Sequence, residues 1–199
     1  MKRALFIGSG AIVLLVITLV ATAVIFPDGR DAARSAAADI ADTTGCTLTG
    51  IVVLQAQAVP TASKVPCVLG TLVGWNAGTQ QVENGSAKFS YATTSSEGAK
   101  WTIELHPSCT PAPNATIAAF DSPGVVRRRT DRIENDIAEH DEWYTFAGGC
   151  AFYQVTIPDR FDEQKLFDEL ETAFRLVDRS AIDRSVRARS GGAFGLDPS

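Results

Sequence analysis

The sequence predicts an α+β fold: a mainly antiparallel sheet covered by a C-terminal amphipathic helix and preceded by a single N-terminal transmembrane helix. Three observations predict it. Ala4 to Phe26 is an uncharged run behind Lys2 and Arg3. From Thr47 to Phe120, short β-type runs are divided by Gly, Pro, Asn and Ser. After Asp162, the residues Leu166, Phe167, Leu170, Ala173, Phe174 and Val177 recur at three- and four-residue spacing, the mark of a helix with one apolar face.

The first element is the apolar run. At about 1.5 Å per residue it spans roughly 35 Å, enough to cross a hydrocarbon core of about 30 Å. Lys2 and Arg3 keep residues 1–3 in the cytoplasm by the positive-inside rule, so the chain after Phe26 emerges outside. Ala21-Thr22-Ala23 also fits the small-x-small pattern of a signal cleavage site, although the run exceeds the usual signal core of about 7 to 15 residues. Either outcome exports the rest of the chain. The expected location is the cell membrane, single-pass, with the C-terminal domain outside the cytoplasm. Arg30 to Asp42 holds six alanines and few large apolar groups, so residues 27–45 read as a stalk with little to bury.

Residues 46–189 read as the exported domain. Its predicted strands are Leu48 to Gln55, Val68 to Trp75, Lys88 to Thr93, Trp101 to Leu105 and Thr116 to Phe120. Phe89 and Tyr91 alternate with Lys88 and Ser90, and Trp101, Ile103 and Leu105 alternate with Thr102 and Glu104. With Ser95 to Gly98 between them, these two runs form an antiparallel hairpin with one apolar face. Asn84-Gly85 is a second turn signal, because both residues accept the positive φ of a type I′ turn. Val125 to Glu142 carries Val126, Ile133 and Ile137 at a loose helical spacing. Trp143 to Ile157 is a strand signal interrupted at Gly148-Gly149 and stopped by Pro158. Asp162 caps the amphipathic helix, whose charged residues from Glu163 to Arg175 should face water. Asp178 to Arg189 continues as a weaker helix through Ile182 and Val186, and residues 190–199 read as a flexible tail.

The net charge of −5 becomes more acidic for the exported part once Lys2 and Arg3 are set aside. An acidic domain lacks the basic surface that drives nucleic-acid affinity, so no nucleic-acid partner is expected. Outside the cytoplasm, the four cysteines Cys46, Cys67, Cys109 and Cys150 are read as disulfides, with Cys46–Cys67 and Cys109–Cys150 the favoured pairs. Loops of about 20 and 40 residues closed this way contribute roughly 3 to 4 kcal/mol each by chain entropy. No C-x-x-C motif is present to tune a thiol for redox exchange. His106, Cys109, His140 and Cys150 have the chemistry of a zinc set, but oxidation of the thiols competes with coordination.

No nucleophile elbow, phosphate loop, dinucleotide fingerprint or haem attachment sequence occurs after Phe26, and no cofactor is expected. His140 lies among Glu139, Asp141 and Glu142, where a carboxylate could tune it as a general base or simply share a solvated surface. Arg127, Arg128, Arg129 and Arg132 form the one basic cluster of the exported part. Guanidinium groups suit an acidic envelope protein or an anionic polymer, and the acidic run that begins at Glu134 is the internal competitor for them. Trp75, Trp101, Trp143 and Tyr144 could line a ligand site, with Trp101 placed in the core by its apolar alternation. The expectation is a non-catalytic binding, accessory or scaffolding role at the envelope. The rival from another class is a hydrolase or thiol-redox enzyme using His140 or Cys150.

Overall fold

Period-two alternation sends apolar side chains to one side of a strand, and this organises most of the chain. The computed structural model describes residues 46, 50–70, 72–94, 98–158 and 163–197. Along them run α1 (Gly50–Ala58), β1 (Lys64–Val68), β2 (Trp75–Glu83), β3 (Ser86–Thr93), β4 (Lys100–His106), β5 (Thr116–Ala118) and β6 (Val126–Glu134). They continue with β7 (Ile137–Phe146), β8 (Gly149–Pro158), α2 (Glu163–Ala173), β9 (Phe174–Asp178) and α3 (Arg179–Arg189). The fold is α+β and mainly antiparallel. Seven strands form one sheet in the order β2-β3-β4-β8-β7-β6-β5, and β1 pairs with β9 in a separate ribbon.

The predicted hairpin is β3 with β4, with Phe89 opposite Ile103 and Tyr91 opposite Trp101. Next to β4, β8 supplies Ala151, Tyr153, Val155 and Ile157 on the same face, all buried. This shared face is the core. Trp101 is fully buried there, 5.3 Å from the Tyr153 ring, and Phe174 of β9 packs on Tyr144 and Tyr153 at 4.8 and 5.5 Å. Phe167 and Leu170 of α2 also meet this face, with the Phe167 ring 4.4 Å from His140.

Both predicted disulfides are present. Cys46 joins Cys67 in β1, with Cα atoms 6.3 Å apart. Cys109 joins Cys150 in β8, with Cα atoms 5.7 Å apart, and so ties the chain beyond β4 to its neighbouring strand.

Six local expectations are corrected. The run predicted as a strand from Leu48 to Gln55 is helical from Gly50 to Ala58. Ile51, Val52 and Val53 favour strands, but Val52, Gln55, Ala56 and Val59 form one buried helical stripe, and tertiary burial overrides propensity. The strand expected from Val68 to Trp75 is absent among the described residues, because Val68 ends β1 and the Trp75 N–H turns back to the Leu72 carbonyl. Val125 to Glu142 is not a helix but the β6–β7 hairpin. Its turn is Asn135-Asp136, with φ values of 52° and 61°, the conformation expected at Asn84-Gly85, where only Gly85 takes a positive φ.

The amphipathic helix ends at Ala173, so Phe174 and Val177 belong to β9 instead. There both are buried, while Lys64 and Asp178 pair at 2.8 Å across the ribbon. The predicted strand after Thr116 is shorter than expected, and Phe120 packs on Tyr144 at 4.8 Å.

The β7–β8 turn meets the start of β1. Gly148 has φ +68°, and a Cβ there would lie 1.9 Å from the Thr61 carbonyl oxygen, so only glycine fits. Beyond α3, Leu196 is buried and its N–H donates to Asp183 at 2.8 Å. The membrane run, its flanking cytoplasmic end and the stalk lie outside the described residues. Among the described residues, no helix is long and apolar enough to cross a membrane.

Candidate functional site

Two sites lie on the core side of the large sheet. The first is charged and belongs to the β6–β7 hairpin. Pleating sends Arg127, Arg129 and Asp131 of β6 to the core side, with His140, Glu142 and Tyr144 of β7 beside them. α2 contributes Gln164, Phe167, Asp168 and Glu171 to the opposite wall of a cleft of about 220 Å³.

Glu142 is the hub. It is 1% exposed and accepts hydrogen bonds from Arg127, Tyr144 and His140, the last at 2.6 Å. Arg127 also reaches Glu171 and the Ala119 carbonyl, the latter at 3.1 Å, and lies over the Tyr144 ring. His140 bonds Asp131 through Nδ1 and Glu142 through Nε2. Ionised carboxylates only accept, so both ring nitrogens must donate, which is the imidazolium form.

Electrostatics agrees with that assignment. Burial alone would lower the His140 pKa, but the hydrogen bond and charge of Glu142, followed by those of Asp131, raise it above its usual value. Burial would raise Glu142, but bonds from His140, Arg127 and Tyr144 hold it below the ordinary carboxylate range. Burial pushes Tyr144 and Tyr153 up, so both phenols stay protonated. A clamped imidazolium has no lone pair to accept a proton, and the surrounding phenols are poor nucleophiles. Within this network His140 is therefore held as a charge partner, while Asp131 and Glu171 are exposed carboxylates of the cleft.

The pleat also divides the arginine cluster. Arg127 is buried in ion pairs, and Arg129 borders the cleft with Nε 4.0 Å from Asp131. Arg128 is exposed on the opposite face, where Arg132 pairs with Glu139 and, at 3.4 Å, with Asp141. The zinc set is dispersed in the same way. Cys109 and Cys150 are bonded to each other, His106 bonds Glu104 at 2.9 Å, and His140 lies on the other side of the sheet. Among the described residues, no cluster of three or more potential ligands is placed to hold a metal ion.

The second site is a cavity of about 630 Å³ beneath α1, within the range of small-molecule sites. α1 supplies Ile51, Val52 and Gln55, and β2 supplies Trp75, Ala77 and Gln80. Phe89, Tyr91 and Ile103 form the floor. A bulge keeps β2 in this role. Register shifts between Ala77 and Gln80, so both lie on the cavity side opposite Tyr91 and Phe89, at its solvent-exposed rim, and Ser90 Oγ accepts the Thr79 N–H at 2.9 Å. α1 is fixed over the cavity by the Cys46–Cys67 bridge and by the buried Arg179, which donates to the Ala56 carbonyl and, at 2.7 Å, to that of Asp197.

Trp75 thus lines a cavity, with its ring 6.4 Å from the fully buried Trp101. Gln55 was hidden from sequence reasoning by its place in a run read as a strand. It is 3% exposed, and its Oε1 is buried with no hydrogen-bond partner among the described residues.

No protein family matches the chain, and no curated protein does. A solved structure from Bacteroides thetaiotaomicron aligns at 9% identity and a TM-score of 0.37, over 59% of this chain. The alignment spans 46% of that protein's length.

Proposed function

We propose that this chain is a membrane-tethered binding protein displayed outside the cytoplasm, with a non-catalytic accessory role at the cell envelope and its ligand site in the cavity beneath α1. One observation carries the proposal: a cavity of about 630 Å³ with an apolar and aromatic floor and no charged residue in its described lining. Tight packing is the rule in protein interiors, and a bound molecule would fill this space. The enzyme alternative has less support, because His140 is held by two carboxylates and Cys150 is in a disulfide. The arginine run supports an anionic partner less well, since Arg127 and Arg132 already have carboxylate partners.

The test is titration of the full chain with an uncharged, environment-sensitive apolar dye. Saturable binding of about one dye per chain is expected, weakened about tenfold by Ala77→Phe, which fills the cavity from the β2 wall. Dye uptake that never saturates and ignores Ala77→Phe would contradict a ligand site at this place.

A further inference from the structure

The charged cleft between the β6–β7 hairpin and α2 has most of its donors committed and its acceptors open. Arg127 is bonded to Glu142, Glu171 and the Ala119 carbonyl, and both ring nitrogens of His140 are bonded to Asp131 and Glu142. Asp131 and Glu171 are more than half exposed, and each uses one oxygen in those bonds. The other oxygen of Asp131 is 4.0 Å from Arg129, beyond hydrogen-bond reach. Tyr153 of β8 brings a further unused group. It stands opposite Glu142 and is 3% exposed, and its hydroxyl has no hydrogen-bond partner among the described residues. The unpartnered polar atoms sealed from water are Gln55 Oε1, Trp101 Nε1 and Arg127 Nε, so the exposed part of Tyr153 includes its hydroxyl. Glu142 and Glu171 both act electrostatically on this phenol. Glu142 is occupied by its three donors, so Glu171 is the acid left to act with it.

Such a lining selects a ligand that donates. Its four carboxylates outnumber the cations Arg127, Arg129 and His140, which favours a cationic donor and leaves an anion only Arg129. Among the described residues no three acids or histidines converge as metal ligands would, so the cation is a molecule rather than a metal ion. A volume of about 220 Å³ holds about seven non-hydrogen atoms at roughly 30 Å³ each. We propose that this cleft is a second binding site, for a small organic molecule whose primary ammonium group donates to the Tyr153 hydroxyl oxygen and to the Glu171 carboxylate. Phe167 gives the rest of the molecule an apolar wall. The cleft shares no lining residue with the cavity beneath α1, so neither site depends on the other.

The test is calorimetric titration of the full chain with three probes of one chain length: 5-aminopentan-1-ol, pentane-1,5-diol and 5-hydroxypentanoate. The amino alcohol is expected to bind at about one per chain, with the diol about tenfold weaker and the hydroxy acid without measurable binding. Tyr153→Phe should weaken the amino alcohol about fivefold at an unchanged urea midpoint, because the hydroxyl has no partner to lose in the folded protein. Glu171→Gln, on the exposed side of the cleft, should weaken it about tenfold and bring amino alcohol and diol close together. The amino alcohol should leave an apolar dye in the cavity beneath α1 undisturbed. Equal affinity for amino alcohol and diol in the unaltered chain would overturn the cation rule. Affinity untouched by both substitutions, or displacement of the dye, would overturn the site, and neither result bears on the cavity as a ligand site of its own.

Discussion

Glu142→Ala is expected to destabilise the domain by about 3 to 5 kcal/mol, read as a lowered urea midpoint with an unchanged slope. The substitution removes the buried carboxylate shared by Arg127 and His140, leaving them only Glu171 and Asp131 at the cleft's exposed side, and removes the acceptor of the Tyr144 hydroxyl. Glu142→Gln should cost less, since it keeps the side-chain volume and one acceptor oxygen. The pH dependence has a defined sign. His140 is raised above its ordinary 6.5, so its contribution is complete below that value and is lost as pH rises through the folded pKa. Glu142 is lowered below its ordinary 4.5, so its contribution is complete above that value and is lost as pH falls through the folded pKa. The network therefore stabilises most between about 4.5 and 6.5. Glu142→Ala should flatten this profile, and a profile of unchanged shape would contradict the network.

Replacing Cys109 and Cys150 together with alanine is expected to cost about 4 kcal/mol, since the bridge closes a separation of 41 residues. The Cys46–Cys67 pair, with a separation of 21, should cost about 3 kcal/mol. The two losses should differ in their local effect. Cys46 and Cys67 fix the chain before α1 to β1, so their loss should weaken dye binding in the cavity as well as stability. Cys109 and Cys150 lie at the β4–β8 side and should leave the cavity's affinity nearly unchanged in the folded protein. Equilibrium unfolding and dye titration on both double variants separate the effects. Equal dye affinity in the two would mean that the first bridge does not hold α1 in place.

The sequence exposed some elements and concealed others for identifiable reasons. β3, β4 and β8 were legible because apolar residues alternate with polar ones over their length. The Cys109–Cys150 pairing followed from the strands those cysteines border, whereas Cys46–Cys67 was read across a run taken as a strand that is α1. The β6–β7 hairpin was hidden because its core-facing positions carry Arg127, Arg129, Asp131, His140 and Glu142 instead of apolar residues. A period-two pattern written in charges reads as a solvated stretch. Asn135-Asp136 was the local signal that could have found it. β9 was hidden because Phe174 and Val177 also continue the period of α2, and only the presence of β1 as a partner makes the strand preferable.

The candidate sites were less legible than the fold. His140 and the arginines stood out as residues, but the pleat decides which of them meet. Alternation along β6 separates Arg127 from Arg128, and that separation turns an apparent basic cluster into one internal network and scattered surface charges. The cavity had no sequence signature. It is assembled from α1, β1 and the β2–β3–β4 sheet, elements joined by long-range packing, and Gln55 acquires its buried position only when α1 forms.

The most direct measurement is solvent extraction of the full chain after purification from its native host, followed by mass spectrometry and quantification against protein. The account predicts one small-molecule compound at close to one per chain, greatly reduced in Ala77→Phe. Extracts of the unaltered chain and of Ala77→Phe with the same lipid mixture, and no compound near one per chain, would contradict it.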